Sequence, residues 1–72
     1  MKNSMRSKCD NITIEELINI LMKRYTTEQR KKLKVYVANN EELDHIFESF
    51  YIDTDTENDF MTIAPIFDKE VE

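Results

Sequence analysis

The chain has 72 residues, 40% of them hydrophobic and 35% charged, and this is enough for one small domain with a marginal core. It contains no glycine and a single cysteine, Cys9. These counts exclude glycine-rich phosphate loops, a GxSxG nucleophile turn and an internal disulfide. No apolar run approaches the roughly 18 residues of a membrane span, and a lone thiol fits a reducing compartment, so the sequence predicts a cytoplasmic protein without membrane contact.

The charges are unevenly distributed along the chain. The net charge is −5, yet residues 1–40 hold nine Lys/Arg and four Asp/Glu, whereas residues 41–72 hold one Lys and eleven Asp/Glu. Such an asymmetry indicates interaction surfaces, although a solvated surface is the commoner explanation.

The first helix is the most clearly signalled element. Residues 1–11 show no periodicity and are predicted to form a flexible N-terminus, followed by a single small helical domain over residues 12–72. A helix is predicted over residues 13–25, where Thr13 and Glu16 have capping-box spacing. Its apolar residues recur at i, i+3, i+4, i+7 and i+11 and form one stripe: Ile14, Leu17, Ile18, Leu21 and Tyr25.

Two further helices are predicted from caps and apolar spacing. Thr26 and Gln29 can form a second capping box, which predicts a helix over residues 27–39. A strand around residues 34–38 is the alternative, because this segment contains β-branched valines. Asn39 and Asn40 are predicted to close that helix and open a third over residues 41–52. The apolar stripe of the third helix comprises Leu43, Ile46, Phe47, Phe50 and Tyr51.

The remaining residues are predicted to lie outside the helices. Residues 53–59 are acidic and predict an exposed loop, and an apolar segment from Phe60 to Phe67 follows, with Pro65 inside it. The predicted fold is therefore all-α: a small three-helix bundle over residues 13–25, 27–39 and 41–52, with a C-terminal segment packed across it. The absence of glycine favours this fold over tight hairpins.

Catalysis and metal binding are not predicted. Alternating acidic residues over 53–59 resemble the start of a calcium loop, but Ala64 stands where the chelating glutamate is required. His45 is predicted to be an exposed helical residue beside carboxylates, and Cys9 has no base held near it. We therefore expect no enzyme activity, no metal and no cofactor.

The sequence instead predicts a small non-catalytic acidic protein that acts by binding another protein, as a regulator, inhibitor or adaptor. Its Ile-, Asn-, Lys- and Glu-rich composition suggests a phage or mobile-element origin, and self-association would help a core this small. The predicted partner-binding residues are Glu42, Glu48, Asp53, Asp55, Glu57, Asp59, Phe60 and Phe67. The alternative is a helical DNA- or RNA-binding protein that uses basic residues around the junction of the first two helices. These residues are Lys23, Arg24, Arg30, Lys31, Lys32 and Lys34.

Overall fold

The protein has a mixed α/β fold. A computed structural model describes residues 6–71, with side-chain exposure given for residues 6–68. These residues form two helices, a 3₁₀ turn and five short antiparallel strands. The prediction of an all-α three-helix bundle, and of a helical protein, is therefore wrong. The chain divides into two compact units, Met1–Leu33 and Lys34–Glu72.

The first unit contains both helices, and its first helix is confirmed. Helix α1 spans Ile14–Arg24. The Thr13 hydroxyl accepts from the Glu16 N–H at 3.1 Å, and the Glu16 carboxylate accepts from the Thr13 N–H at 2.9 Å, so the predicted capping box is present. The flexible N-terminus predicted for residues 1–11 lies partly outside the described residues. Residues 6–10 form no helix or strand, and the Arg24 guanidinium donates to the Ser7 hydroxyl at 3.3 Å.

The second helix is shorter than predicted. Helix α2 spans Thr27–Lys32 and begins with the expected capping box between Thr26 and Gln29. It ends at Leu33, whose backbone is extended, so the prediction of a helix up to residue 39 is wrong. Continuing the helix would place Arg30 and Lys34 one turn apart with like charges and would require β-branched residues to follow. The strand alternative is confirmed in part by strand β1, Val37–Ala38.

The third predicted helix does not form. Its residues instead provide strand β2, Ile46–Phe47, and the start of strand β3, Phe50–Asp55. Aromatic and β-branched residues favour strands when a partner strand is available. That partner is strand β4, Phe60–Pro65, which pairs with the whole of β3 in an antiparallel hairpin.

The asparagines between the second and third predicted helices stabilise a loop rather than helix ends. The Asn39 backbone N–H donates to the His45 carbonyl at 3.1 Å. In return, the side-chain oxygen of Asn39 accepts from the His45 N–H at 3.1 Å. The side chain of Asn40 accepts from the Asp44 N–H at 3.3 Å and donates to the Asp44 carboxylate at 2.9 Å. These short polar side chains bind nearby backbone groups, so β1 and β2 are joined by a closed loop and no third helix is capped.

The predicted acidic loop and C-terminal segment are also corrected by the hairpin. Asp53 to Asp55 belong to β3, and only residues 56–59 form its turn. The C-terminal segment does not cross a helical bundle. It forms β4, a 3₁₀ turn over Phe67–Lys69 and strand β5, Glu70–Val71. Pro65 pairs with Phe50 at the end of the hairpin, where a missing N–H is tolerated.

The core of the second unit is a single phenylalanine. Strands β1, β2 and β5 form one antiparallel sheet with β2 in the centre, and β1 also lies beside β4. Phe47 of β2 is 5% exposed, and it is the one buried apolar side chain among those described. The Phe67 ring meets it edge-on, with centroids 5.2 Å apart and planes at 83°. The stability of this unit therefore depends heavily on Phe47.

In the turns of this chain, residues other than glycine adopt the left-handed backbone conformation, and this allows a hairpin to form. Asp59 closes the β3–β4 turn with φ of 59°, a left-handed conformation that aspartate adopts more readily than most residues. Leu43 adopts φ of 59° in the β1–β2 loop, which costs about 1–2 kcal/mol for a residue with a Cβ. The absence of glycine therefore did not exclude hairpins, because aspartate can take the left-handed position.

Candidate protein-interaction surface

The turn of the β3–β4 hairpin is organised by Asp55. One Asp55 carboxylate oxygen accepts from the N–H groups of Glu57 and Asn58, both at 3.1 Å. The other oxygen accepts from the Asn58 side-chain amide at 3.0 Å. Because an aspartate that binds the backbone two and three residues ahead stabilises a turn, Asp55 stabilises the tip in one conformation.

The same hydrogen bonds set the ionisation of Asp55. The Asn58 side-chain amide, followed by the Asn58 backbone N–H, holds the pKa of the Asp55 carboxyl below its ordinary value. Donors that bind the charged form favour it, and here they outweigh the opposing desolvation. The ionised Asp55 carboxylate therefore helps to stabilise the turn.

We expect the hairpin turn to loosen in acid. Because the pKa of Asp55 is lower in the folded state, its stabilising effect is present above the unfolded pKa of about 3.9 and is lost as pH falls through the folded value. The amide shifts and hydrogen-exchange protection of Glu57 and Asn58, followed by NMR below pH 4, measure this loss. Asp55→Asn keeps the side-chain acceptor and should remove the acid transition at these amides. If the Asp55→Asn variant shows the same acid transition, the transition arises from a titratable group other than Asp55.

The strand register places acidic and aromatic residues on one side of the hairpin. Asp55 pairs with Phe60, Asp53 with Thr62, and Tyr51 with Ala64. Since alternate residues of paired strands share a face, these six residues form what we call the acidic–aromatic face. Tyr51 is 60% exposed and Phe60 is 53% exposed, so the two rings reach solvent beside carboxylates.

The opposite side of the hairpin is apolar. It pairs Phe50 with Pro65, Ile52 with Ile63, and Thr54 with Met61. Ile52 remains 63% exposed and Ile63 42% exposed, whereas Phe50 and Met61 are half-buried. Contiguous exposed apolar surface is uncommon unless a protein uses it for binding. Both faces of the hairpin thus present apolar groups to solvent.

The structure brings together most of the predicted partner-binding residues. Five of them lie on the hairpin or its turn: Asp53, Asp55, Glu57, Asp59 and Phe60. Glu42 lies instead in the β1–β2 loop, and Glu48 lies between β2 and β3. Phe67 follows β4 in the 3₁₀ turn, where it is 73% exposed while its ring contacts Phe47.

Sequence reasoning missed one contributor to this surface, Tyr51. It assigned Tyr51 to the packed stripe of a helix. The missed signal is that FYIDTD and FMTIAP are segments of equal length, rich in aromatic and β-branched residues, separated by four polar residues.

The basic residues of the alternative site lie mainly at helix C-termini. Lys23 and Arg24 occupy the last turn of α1, and Arg30, Lys31 and Lys32 the last turn of α2, where cations are favoured by the helix dipole. Lys34 begins the second unit.

Two of the basic residues are engaged locally. Arg30 donates to the Tyr25 carbonyl at 2.7 Å and to the Thr27 hydroxyl at 3.0 Å. The Arg24 guanidinium lies over the Tyr25 ring, 5.8 Å from its centroid. The three lysines among these predicted residues of the first unit, Lys23, Lys31 and Lys32, are exposed.

Neither a metal site nor similarity to a known protein indicates a further function for the described residues. Within residues 6–71, no group of three His, Cys, Asp or Glu side chains is arranged to hold a metal ion. Neither described helix has the length and apolar character that crossing a membrane requires. Comparisons with models of protein families, with curated proteins and with solved structures find no match to this chain.

Proposed function

We propose that this protein is a small, non-catalytic acidic regulator or adaptor that binds another protein through the tip and acidic–aromatic face of the β3–β4 hairpin. The main observation in support is that Asp55 pairs with Phe60 and lies on the same face as Asp53. The aromatic rings of this face are more than half exposed. Aromatic side chains are enriched at protein interfaces, where a few residues carry most of the binding energy. Carboxylates around them favour partners of opposite charge.

The charge of the second unit defines the chemistry of this partner. Residues 34–72 carry two Lys and eleven Asp/Glu, a net of −9, while residues 1–33 carry eight Lys/Arg and four Asp/Glu, a net of +4. An acidic unit attracts a basic surface and speeds encounter with it. Glu42 and Glu48 add to this field. We therefore propose a basic protein surface with an apolar pocket for Phe60, in a reducing compartment such as the cytoplasm, where the exposed thiol of Cys9 would persist.

Nucleic-acid binding is the second candidate, and one observation favours it. The first unit has a net charge of +4 and exposes Lys23, Lys31 and Lys32. Phosphate contact requires such cations, and the resulting binding weakens steeply with salt. Two facts make this candidate weaker than the first. Arg30 already donates to Tyr25 and Thr27. The lysines lie in the last turns of helices, where the helix dipole alone favours cations.

A pair of matched charge reversals tests both candidates. The hairpin variant combines Asp53→Lys, Glu57→Lys and Phe60→Ala, and leaves Asp55 in place so that the turn persists. The basic variant combines Lys23→Glu, Lys31→Glu and Lys32→Glu. Each is used, with the wild type, to capture partners from lysate with and without nuclease. Circular dichroism confirms that both variants keep the wild-type secondary structure.

We expect the hairpin variant to lose a partner protein that the wild type and the basic variant retain, with and without nuclease. Phe60→Ala alone should weaken that complex by about 30-fold, because a truncated aromatic hot spot costs roughly 2 kcal/mol or more. Loss in the basic variant or after nuclease, with the hairpin variant unaffected, would contradict the proposal and support nucleic-acid binding.

A further inference from the structure

Helix α1 carries an apolar stripe that is exposed over much of its length, although Leu17 and Tyr25 are half-buried. Ile14 is 55% exposed, Ile18 46% and Leu21 40%, and Met22 beside them is 55% exposed. No residue of α1 is buried. Ile14, Ile18 and Leu21 were predicted to face a core, yet they reach solvent. An apolar stripe of this kind needs a covering partner.

The helix is too short to persist without such a partner. Isolated helices below about 12–15 residues are marginal in water, and α1 has 11. Its unit, Met1–Leu33, is below the roughly 40 residues under which chains usually need metals, disulfides or association to fold. The stability of this unit therefore calls for burial of the stripe.

The spacing of the stripe is self-complementary. Four of the five stripe residues, Ile14, Ile18, Leu21 and Tyr25, are separated by four, three and four residues, a spacing that reads the same in both chain directions. The fifth, Leu17, has Met22 as its counterpart in this symmetry. Two copies of α1 packed antiparallel about a two-fold axis between residues 19 and 20 would place Ile18 against Leu21 of the second copy. They would also place Ile14 against Tyr25 of the second copy. A two-fold interface requires this kind of self-matching surface.

The charges at the ends of α1 favour the antiparallel arrangement. Its first turn carries Glu15 and Glu16, and its last turn carries Lys23 and Arg24. Parallel packing would place like charges side by side at both ends. Antiparallel packing places the acidic end of each helix beside the basic end of the other, at an interaxial distance of about 8–10 Å. That separation is comparable to the screening length of about 8 Å at physiological salt. The two helix dipoles are also antiparallel in this arrangement, and side-by-side dipoles of opposite direction attract each other.

We propose that α1 is a self-association surface: its stripe packs antiparallel against the same stripe of a second copy of this chain. The charge complementarity of the two helix ends and the self-matching spacing identify the occupant. This stripe belongs to a different unit from the hairpin proposed to bind a partner protein, so either proposal can fail without the other. The dimer presents two hairpins, which would strengthen binding to a partner with repeated basic sites.

Sedimentation equilibrium on the full chain tests the self-association. We expect the mass to rise from 8.7 kDa toward twice that value as concentration increases into the high micromolar range. Ile18→Lys should weaken association by about tenfold or more, because it places a charge at the centre of the stripe. The control is Asn19→Lys, which adds the same charge outside the stripe and should leave the association unchanged. A monomer at every concentration, or a dimer equally insensitive to both substitutions, would overturn the proposal.

Engineered cysteines test the orientation, in a Cys9→Ser background and under mild oxidation. A mixture of Ile14→Cys and Tyr25→Cys chains should form a disulfide-linked dimer, whereas Ile14→Cys alone should not link to itself. Self-linking of Ile14→Cys with no linking in the mixture would indicate parallel packing and overturn the antiparallel arrangement.

Discussion

Phe47→Ala is expected to unfold the Lys34–Glu72 unit. Phe47 is 5% exposed, and no other described apolar side chain is buried. Truncating a buried phenylalanine costs about 3–5 kcal/mol, which equals the roughly 3–5 kcal/mol that a core of this size supplies. Loss of amide dispersion for residues 37–71 in NMR spectra and loss of a cooperative urea transition of this unit measure the effect.

Phe67→Ala is the matched control for this prediction. The Phe67 ring contacts Phe47 edge-on but is itself 73% exposed. Its removal should cost about 0.5–1.5 kcal/mol, the value of an aromatic pair, and leave the unit folded but less stable. Equal destabilisation by the two substitutions would show that the core is shared between the rings rather than centred on Phe47.

Thr13→Ala is expected to melt much of α1. The substitution removes the hydroxyl that accepts from the Glu16 N–H and leaves that group without its cap. The loss of such a cap costs about 1 kcal/mol, and α1 buries none of its residues, so little else offsets the loss. Far-ultraviolet circular dichroism at low protein concentration should show a reduced helical signal and a lower midpoint of its thermal transition.

Two conservative variants control for this effect. Thr13→Ser keeps the hydroxyl and Glu16→Gln keeps the acceptor of the capping box, so both should retain most of the helical signal. At high protein concentration the proposed helix pairing should partly restore the signal of Thr13→Ala, because association stabilises the folded form by mass action. A helical signal of Thr13→Ala equal to that of the wild type would mean that the cap does not limit α1.

The two units differ in how each could bind a partner. The first unit has a net positive charge and an exposed apolar helix, whereas the second is strongly acidic and displays aromatic rings on a hairpin. In these proposals self-association uses the first unit and binding of a basic protein uses the second. Each proposed surface depends on a small number of residues, so single substitutions should affect one proposed activity and not the other.

Local signals in the sequence were sufficient for the starts of α1 and α2 and for the division of charge. Thr13 and Glu16, like Thr26 and Gln29, interact across three residues, and a contact this short depends little on the rest of the chain. The acidic residues near Asp55 were likewise predictable as an exposed group. Their charge makes burial costly in any fold.

The strands and the geometry of the candidate site depended on the tertiary structure. Phe47, Phe50 and Tyr51 satisfy helical spacing as well as strand propensity, so their pattern alone could not decide between the two. For Phe50 and Tyr51 the choice was made by pairing with residues 60–65, and the paired residues of this hairpin lie five to fifteen positions apart along the chain. For Phe47 it was made by pairing with Val37 of β1 and Glu70 of β5. The same register places Phe60 beside Asp55, and the left-handed backbone of Asp59 closes the turn without glycine. Caps act within one helical turn, whereas a hairpin gains its hydrogen bonds only when two distant segments meet. That is why the sequence alone determined the starts of α1 and α2 but not the sheet.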